Sequence, residues 1–138
     1  MSGKDEAEWA KARGLKPLAR LLQWGVSGVE PSIMGIGPAP AIRSALERAG
    51  LAMGSVDLFD VNEAFAAQWL AVQRDLGLPE DKSNVNGGAI ALGHPLGASG
   101  ARITANLIYT MKALGKSISV GGACIGGGQG IAVVLENL

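Results

Sequence analysis

Apolar residues recur along most of the chain at the spacings of helices and strands, and clusters of glycine and proline interrupt them. Large apolar side chains at spacings of four, three and four predict an amphipathic helix over residues 62–76. Short apolar runs between polar turns predict buried strands, as over residues 56–61. The predicted helices are 3–13, 39–49, 62–76 and a segment that follows the glycine-rich loop 87–100 and ends at Leu114; the predicted strands are 18–29, 56–61, 84–88, 118–123 and 131–135.

Strands that alternate with helices predict an α/β fold, here a five-stranded mixed sheet with helices on both faces. Because helices connect most of the strands, we expect a mostly parallel sheet. Residues 124–130 are short enough for a hairpin, so the last strand is expected to be an antiparallel edge strand. The length of 138 residues fits one domain, residues 1–138.

The helix that ends at Leu114 carries apolar residues around nearly its whole circumference. Only Arg102 and Lys112 are charged in it. Such a helix is normally buried on more than one side, whereas a single sheet covers one side. The pattern therefore predicts a second layer over this helix, supplied by another domain or another subunit. The apolar residues of the helix that ends at Leu114 are Ala101, Ile103, Ala105, Leu107, Ile108, Met111 and Leu114.

Charge and composition argue against several classes of function. Lys plus Arg and Asp plus Glu each number 12, so the basic surface typical of nucleic-acid-binding proteins is missing. One cysteine forms no internal disulfide, and with one histidine it cannot complete a structural zinc site. No apolar run approaches the roughly 18 residues of a membrane span, and acidic residues near the start argue against a targeting peptide. We expect a soluble intracellular protein.

Glycine is abundant, with 21 residues, yet the familiar glycine-rich motifs fail. A P-loop fails because Thr110 stands at its first glycine. A dinucleotide fingerprint fails because Pro40 stands at its third glycine, and a nucleophile elbow fails because Ala101 replaces its last. The glycines are therefore expected to expose backbone N–H groups or to allow close approach.

Polar chemistry is concentrated in three segments, 61–68, 84–102 and 121–130, which include the only histidine, His94, and the only cysteine, Cys124. Each candidate also has a structural explanation: a lone histidine is more often a satisfied loop residue, a lone cysteine an inert core residue, and an asparagine that begins a helix an N-cap. The coincidence favours chemistry, because the glycines beside the cysteine free backbone N–H groups for an oxyanion hole.

The motifs NEAF, GHPLGASGAR and CIGGGQG, in this order and spacing, resemble the C-terminal half of thiolases, that is, of acetyl-CoA acetyltransferases and 3-ketoacyl-CoA thiolases. The resemblance covers nearly the whole chain and includes GLKPLARL, MGIGPAPAIRSALERAG and DLFDVNEAFAAQ. It implies an acyltransferase of fatty acid metabolism, including β-oxidation, that catalyses reversible thiolysis of 3-ketoacyl-CoA or condensation of acetyl-CoA. Coenzyme A thioesters are then the substrates, with no cofactor and no metal. The implied fold is two similar halves stacked in five layers with a helical central layer.

The resemblance also implies three catalytic residues. His94 is similar to the histidine that activates the family's nucleophilic cysteine and contacts the thioester oxygen. Asn62 is similar to the residue that holds a water in that oxyanion hole. Cys124 is similar to the second catalytic cysteine, which acts as acid and base on the coenzyme A thiol or the acetyl carbanion.

Substrate contacts are implied in the same way. The N–H of Gly126 is similar to a donor of a second oxyanion hole, which binds the acyl-enzyme carbonyl. Ala64 and Phe65 are similar to wall residues of the acyl and pantetheine pocket. The expected partners are acyl-CoA and coenzyme A, with neither nucleic acid nor membrane.

The sequence departs from the family in one respect: the acylated cysteine of thiolases lies in their N-terminal half, and Cys124 is the only cysteine here. The resemblance thus implies a C-terminal domain without its nucleophile-bearing half and predicts no turnover by this chain alone. A fragment of a full enzyme, one chain of a split enzyme and a short product without catalysis all remain open. Full thiolases are dimers or tetramers, so the full enzyme is expected to be a homo-oligomer.

An alternative hypothesis is a catalytically incomplete module that binds a partner or coenzyme A weakly and dimerises through its apolar helix. The missing nucleophile and that helix motivate it. A relative of the ketoacyl synthases is disfavoured, because those enzymes use a different His/His or His/Asn pair and lack the CIGGG motif.

Overall fold

The computed structural model describes residues 3–138, with side chains from residue 6 onward. In chain order its helices are α1 (Gly3–Ala12), α2 (Pro38–Ala49), α3 (Ala66–Leu76), α4 (Ala89–Leu92) and α5 (Ser99–Leu114), and its strands are β1 (Ala19–Gly28), β2 (Leu58–Val61), β3 (Ile118–Ile125) and β4 (Gln129–Asn137). Short 3₁₀ turns lie at Pro31–Ile36, Met53–Ser55 and Glu80–Lys82. None of the helices within these residues is long and apolar enough to cross a bilayer.

The strands form one four-stranded mixed sheet in the order β1–β4–β3–β2. Strand β2 pairs in parallel with β3, whereas β4 runs antiparallel to both β3 and β1. The expectation of a mostly parallel sheet with an antiparallel edge strand was therefore wrong, since β4 is an interior strand. Spacing along the chain showed which strands a helix separates, but not that the first strand returns to pair with the last.

The predicted fifth strand, residues 84–88, is not a strand. This stretch is preceded by a single bridge between Ser83 and Phe59. Asn84 then turns the chain with a positive φ of 48°, and its side chain takes the place of a pairing strand. Its Oδ1 accepts the Val61 N–H at 2.9 Å and its Nδ2 donates to the Val61 carbonyl at 3.0 Å. A side-chain amide thus satisfies the edge of β2, and the sheet has four strands.

Helices cover both faces of the sheet, as predicted. Helices α2 and α3 pack on one face around a large apolar cluster, and α5 packs on the other around a smaller one. The first cluster is centred on fully buried residues such as Ile42, Phe59 and Val61. The two clusters hold β2 and β3 between them, so the end of each strand is fixed from both sides.

Helix α5 buries only one of its two apolar faces within residues 3–138. Ile103, Leu107 and Met111 point into the sheet and are almost fully buried. On the other side Ala105 is exposed and Tyr109 is 62% exposed. The second layer that the sequence predicts is not formed by the described part of the chain, so a cover from another domain or subunit stays a prediction.

The residue before α2, Gly37, packs so closely on β4 that glycine is required at position 130. A Cβ atom on Gly130 would overlap the backbone of Gly37, which has no side chain to move aside. We expect Gly130→Ala to lower the free energy of unfolding by about 1–3 kcal/mol, the usual cost of overpacking a core. Urea denaturation measures it.

The matched control is Gly28→Ala in β1, where a new Cβ atom meets nothing within 4 Å. That substitution is expected to change the stability by less than about 1 kcal/mol, because it only restricts the unfolded backbone. Equal stabilities of the two variants would contradict the packing described here.

Candidate active site

The parallel pairing of β2 with β3 brings the ends of two motifs together. Val61, the last residue of β2, lies opposite Gly122 of β3. The ladder continues one residue further, because the Asn62 N–H donates to the Gly122 carbonyl at 2.9 Å. Asn62 therefore lies at the same edge of the sheet as Cys124, which follows Gly122 by two residues.

Asn62 is fully buried. The prediction that a helix begins at this residue was wrong. Helix α3 begins at Ala66, and residues 62–65 form an extended and bent link. The side chain is therefore free of a capping role, and its Nδ2 lies 3.4 Å from Nε2 of His94. Its Oδ1 is buried without a hydrogen-bond partner among the described residues, which leaves one acceptor at the site unused.

His94 lies in the link between α4 and α5, and Ser99 at the start of α5 fixes its ring. The Ser99 Oγ is 2.6 Å from Nδ1 of His94 and also donates to the Pro95 carbonyl at 3.1 Å. A hydroxyl has one hydrogen to give, so toward the ring Ser99 accepts. The neutral imidazole then carries its proton on Nδ1. Its Nε2 is left as an acceptor that faces the NH₂ group of Asn62.

Cys124 lies near the end of β3, opposite Gly130 of β4, and is half-buried. Burial raises the pKa of its thiol, because a thiolate loses hydration there. The residue is therefore a protonated thiol at neutral pH. No hydrogen bond within residues 6–138 joins it to Asn62 or His94. The structure thus brings the amide and the imidazole into contact and places the thiol at the end of the neighbouring strand, with no hydrogen bond between the thiol and either group in the described residues.

The predicted oxyanion-hole donor, Gly126, is exposed in the turn that follows β3. The next two residues, Gly127 and Gly128, have φ of 88° and 93°, a region that side chains disfavour. The Gly128 carbonyl accepts the Val29 N–H at 2.7 Å, which ties the turn to the segment after β1. The glycines therefore set the shape of this turn, and the donor role of Gly126 stays a prediction.

The predicted wall residues, Ala64 and Phe65, line a groove of about 460 Å³ between the start of α3 and the 3₁₀ turn at Pro31–Ile36. Phe65 is 72% exposed there. Gln68 ties the two sides together, because its side chain accepts the Ala64 N–H at 3.1 Å and donates to the Gly35 carbonyl at 3.0 Å. Both residues thus lie on one groove, while their contact with a substrate remains a prediction.

The sequence analysis missed a buried polar network beneath the site. The Asp60 side chain is 1% exposed. Its Oδ2 accepts a hydrogen bond from Nδ2 of Asn106 at 2.8 Å and lies 3.4 Å from a guanidinium nitrogen of Arg102. Burial raises the pKa of Asp60, and these two partners offset that effect only in part. The signal was available: an aspartate inside a buried strand, and an Arg and an Asn four residues apart on an apolar helix, each need a partner.

The sequence analysis also missed Ser99 as a partner of the histidine, as well as two residues that hold the surrounding loop, Glu63 and Asn84. In the sequence, Ser99 is the central residue of residues 97–101, the segment rejected above as a nucleophile elbow. Its spacing of five residues from His94 became informative once the helix was known to begin at Ser99 itself.

A family model described as the thiolase C-terminal domain matches residues 15–137 of this chain. The chain belongs to the thiolase family. It spans about a third of the length of the relatives that it matches. Human mitochondrial 3-ketoacyl-CoA thiolase is 59% identical over 127 residues, which are 92% of this chain and 32% of that protein. Acetyl-CoA acetyltransferase of Escherichia coli (strain K12) is 55% identical over 96% of this chain and 34% of its own length.

Solved thiolase structures confirm the thiolase-like α/β fold. The crystal structure of human mitochondrial 3-ketoacyl-CoA thiolase superimposes with a TM-score of 0.94 and 57% identity, over 95% of this chain and 33% of that one. A second structure of the human enzyme, in complex with CoA, superimposes with a TM-score of 0.93 and 57% identity, over 95% of this chain and 33% of that one. Acetyl-CoA acetyltransferase of Bacillus anthracis gives 0.93 at 51% identity, also over 95% and 33% of the two chains.

The hydrogen bond from His94 to Ser99 predicts the effect of removing the hydroxyl. Ser99→Ala should shift the neutral ring toward the Nε2–H tautomer by about fivefold, because one net hydrogen bond contributes about 1 kcal/mol. Nitrogen NMR measures the tautomer ratio directly, since His94 is the only histidine. Ser83→Ala is the matched control: it removes the same type of bond, to the Pro79 carbonyl, away from the ring. An unchanged tautomer ratio in Ser99→Ala would refute the assignment.

The raised pKa of Cys124 predicts slow alkylation. At pH 8 the native thiol should react with iodoacetamide more slowly than the same thiol in the urea-unfolded chain, because less of it is thiolate. The pKa contribution to this difference should shrink as the pH rises through the native pKa. Mass spectrometry of timed samples gives both rates, and equal rates at pH 8 would show that burial does not protect the thiol.

Proposed function

We propose that this chain is the C-terminal catalytic part of a thiolase-type acyltransferase, which cleaves 3-ketoacyl-CoA with coenzyme A or, in reverse, condenses acetyl-CoA. The carrying observation is the imidazole of His94, fixed at Nδ1 by Ser99 and facing the buried amide of Asn62 with Nε2. This geometry leaves Nε2 free to accept a proton at the sheet edge that also carries Cys124.

In this proposal His94 activates the nucleophile. Its Nε2 takes the proton of a cysteine thiol that the rest of a thiolase supplies, and the thiolate attacks the acyl carbonyl carbon. The ring is then an imidazolium, whose Nε2–H donates to the oxygen on which negative charge develops. The Ser99 hydroxyl still accepts Nδ1–H in both states, so the ring keeps its orientation. Asn62 holds the second donor of this oxyanion hole through a water.

Cys124 acts as the second acid–base group: it first donates a proton to the acetyl-CoA carbanion and then accepts one from coenzyme A. When the carbon–carbon bond of the acyl-enzyme adduct breaks, its electron pair stays on the acetyl-CoA carbon, and the protonated thiol of Cys124 neutralises that carbanion. The resulting thiolate takes the proton of the incoming coenzyme A thiol, which attacks the acyl-enzyme carbonyl. The bond to the acylated cysteine then breaks, and that cysteine leaves as a thiolate and recovers its proton from the His94 imidazolium. The raised pKa of Cys124 suits the first of these steps, since the group must be an acid at neutral pH. The N–H of Gly126 donates to the acyl-enzyme carbonyl.

In this proposal coenzyme A thioesters bind in the groove beside the site. Ala64 and Phe65 offer an apolar wall that ends at the link carrying Asn62, and the human relative has been solved in complex with CoA. We infer that pantetheine or the acyl chain lies along this wall. The compartments we propose are the mitochondrial matrix and the cytoplasm, because relatives are named mitochondrial and cytosolic.

The partner we propose is a nucleophile-bearing thiolase half, in a homo-oligomeric enzyme, which covers the exposed side of α5. A module that only binds or dimerises is not favoured, because the family match spans the residues that carry the chemistry. For the chain by itself we expect no turnover, since Cys124 is its only cysteine.

A chimera tests the proposal. This chain replaces the matched third of human mitochondrial 3-ketoacyl-CoA thiolase, and loss of the acetoacetyl-CoA enolate absorbance in the presence of coenzyme A measures thiolysis. We expect turnover by the chimera and none by the isolated chain. We also expect Cys124→Ser and His94→Ala to lower kcat in the chimera by at least about a hundredfold, the usual contribution of positioned acid–base groups.

Cooperative thermal unfolding shows whether the chimera has folded. A folded chimera that does not turn over, or one whose rate is indifferent to both substitutions, would overturn the proposed function.

A further inference from the structure

Glu63, the residue after Asn62, holds the loop that carries His94. One carboxylate oxygen, Oε1, accepts Nδ2 of Asn84 at 2.8 Å, and the other, Oε2, accepts the backbone N–H of Ile90 at 3.0 Å. Ile90 lies in the first turn of α4, four residues before the histidine. A single side chain thus connects the segment after β2 to the start of the link that ends at α5.

The loop is shaped around this carboxylate. A Cβ atom on Gly88 would overlap the carboxyl group of Glu63, so the carboxylate occupies the space of a missing side chain. Asn84, the other anchor, is itself held by both hydrogen bonds to the backbone of Val61. The carboxylate therefore accepts one hydrogen bond from the Asn84 amide, which is attached to β2, and one from the Ile90 N–H in α4.

The chemistry of these contacts requires an acid rather than an amide. Both partners of Glu63 are donors, and an ionised carboxylate is an acceptor at both oxygens. A glutamine of the same shape satisfies one donor and turns its own NH₂ group against the other. Since both oxygens are already engaged and neither touches Asn62, His94 or Cys124 in the hydrogen bonds of the described residues, Glu63 is not itself a proton-transfer group.

We propose that Glu63 is a positioning residue, whose carboxylate anchors the start of the link and so keeps Nε2 of His94 within reach of the Asn62 amide. His94 is exposed, and among the hydrogen bonds of residues 6–138 its side chain is held only by Ser99 and by the 3.4 Å contact with Asn62. Ser99 fixes the link at its α5 end, and Glu63 fixes it at its α4 end. The catalytic meaning of this role rests on the proposed function; the geometric role does not.

The test uses Glu63→Gln in the whole chain, with Glu47→Gln as the matched control. The side chain of Glu47 makes no hydrogen bond within residues 6–138, so that substitution removes a carboxylate without removing an anchor. Nitrogen NMR of the single histidine and amide exchange of Ile90 are measured well below the unfolding temperature of each variant. In Glu63→Gln we expect exchange at Ile90 to accelerate at least about tenfold, as loss of one charge-assisted hydrogen bond predicts. The Nε2 signal should also lose the shift that the Asn62 contact imposes.

A purely structural role predicts something else: a lower unfolding temperature with an unchanged histidine spectrum, which would overturn the proposal. Gly88→Ala is the second variant, because it displaces the carboxylate while leaving Glu63 in place; the same spectral change is expected. In the chimera, Glu63→Gln should lower kcat at least about tenfold with little change in KM. An inactive chimera combined with the expected spectral change would refute only the proposed function, and an active chimera with unchanged spectra would refute only the positioning role.

Discussion

The site depends on one register: the parallel pairing of β2 with β3, extended by the hydrogen bond from the Asn62 N–H to the Gly122 carbonyl. Because the two strands run the same way, their carboxyl ends meet at one edge of the sheet. A shift by one residue would turn every side chain of β2 to the opposite face. It would remove Asp60 from α5 and Phe59 from the main core, so the packing of both faces enforces the register that the chemistry needs.

Two polar contacts connect β2 to the helices on either side of His94. The buried Asp60 joins β2 to α5 through Arg102 and Asn106, and α5 begins with Ser99, which holds the ring. The carboxylate of Glu63 joins the segment after β2 to α4. Burying Asp60 is unfavourable enough to raise its pKa despite the nearby guanidinium, so this pair is better explained by orientation than by stability.

The sequence predicted the apolar skeleton well, because burial leaves a periodic trace. Helix 39–49, strand 56–61 and the two-face arrangement follow from spacing alone. What failed were features decided by a single polar side chain or by pairing between distant segments. Asn84 closes the edge of β2 with its own amide, which no hydrophobic pattern records, and β1 pairs with β4 across more than one hundred residues. The predicted start of α3 was wrong because the stripe of apolar residues extends through Phe65 into a link that is not helical.

The motifs pointed to segments that meet in the fold, but they did not reveal how these segments are connected. NEAF and GHPLGASG identified Asn62 and His94, and the structure brings the two side chains together. The supporting residues, Ser99, Glu63 and Asn84, lie within or beside the same motifs, yet their roles depend on where the helices begin. That information comes from tertiary structure, because a helix of four residues such as α4 has too little length for a periodic signal.

The proposed catalysis requires more than the geometry of this site, because the site is exposed. His94 and Phe65 are open to solvent, and residues 3–138 leave the outer face of α5 uncovered. Hydrogen-bond donors stabilise a developing oxyanion strongly only where water is excluded, since water competes for the same charge. A surface that buries the apolar side of α5 and closes over the sheet edge would lower the local dielectric around Asn62 and His94. The partner half proposed above would thus cover the helix and exclude water from the site with one layer of protein.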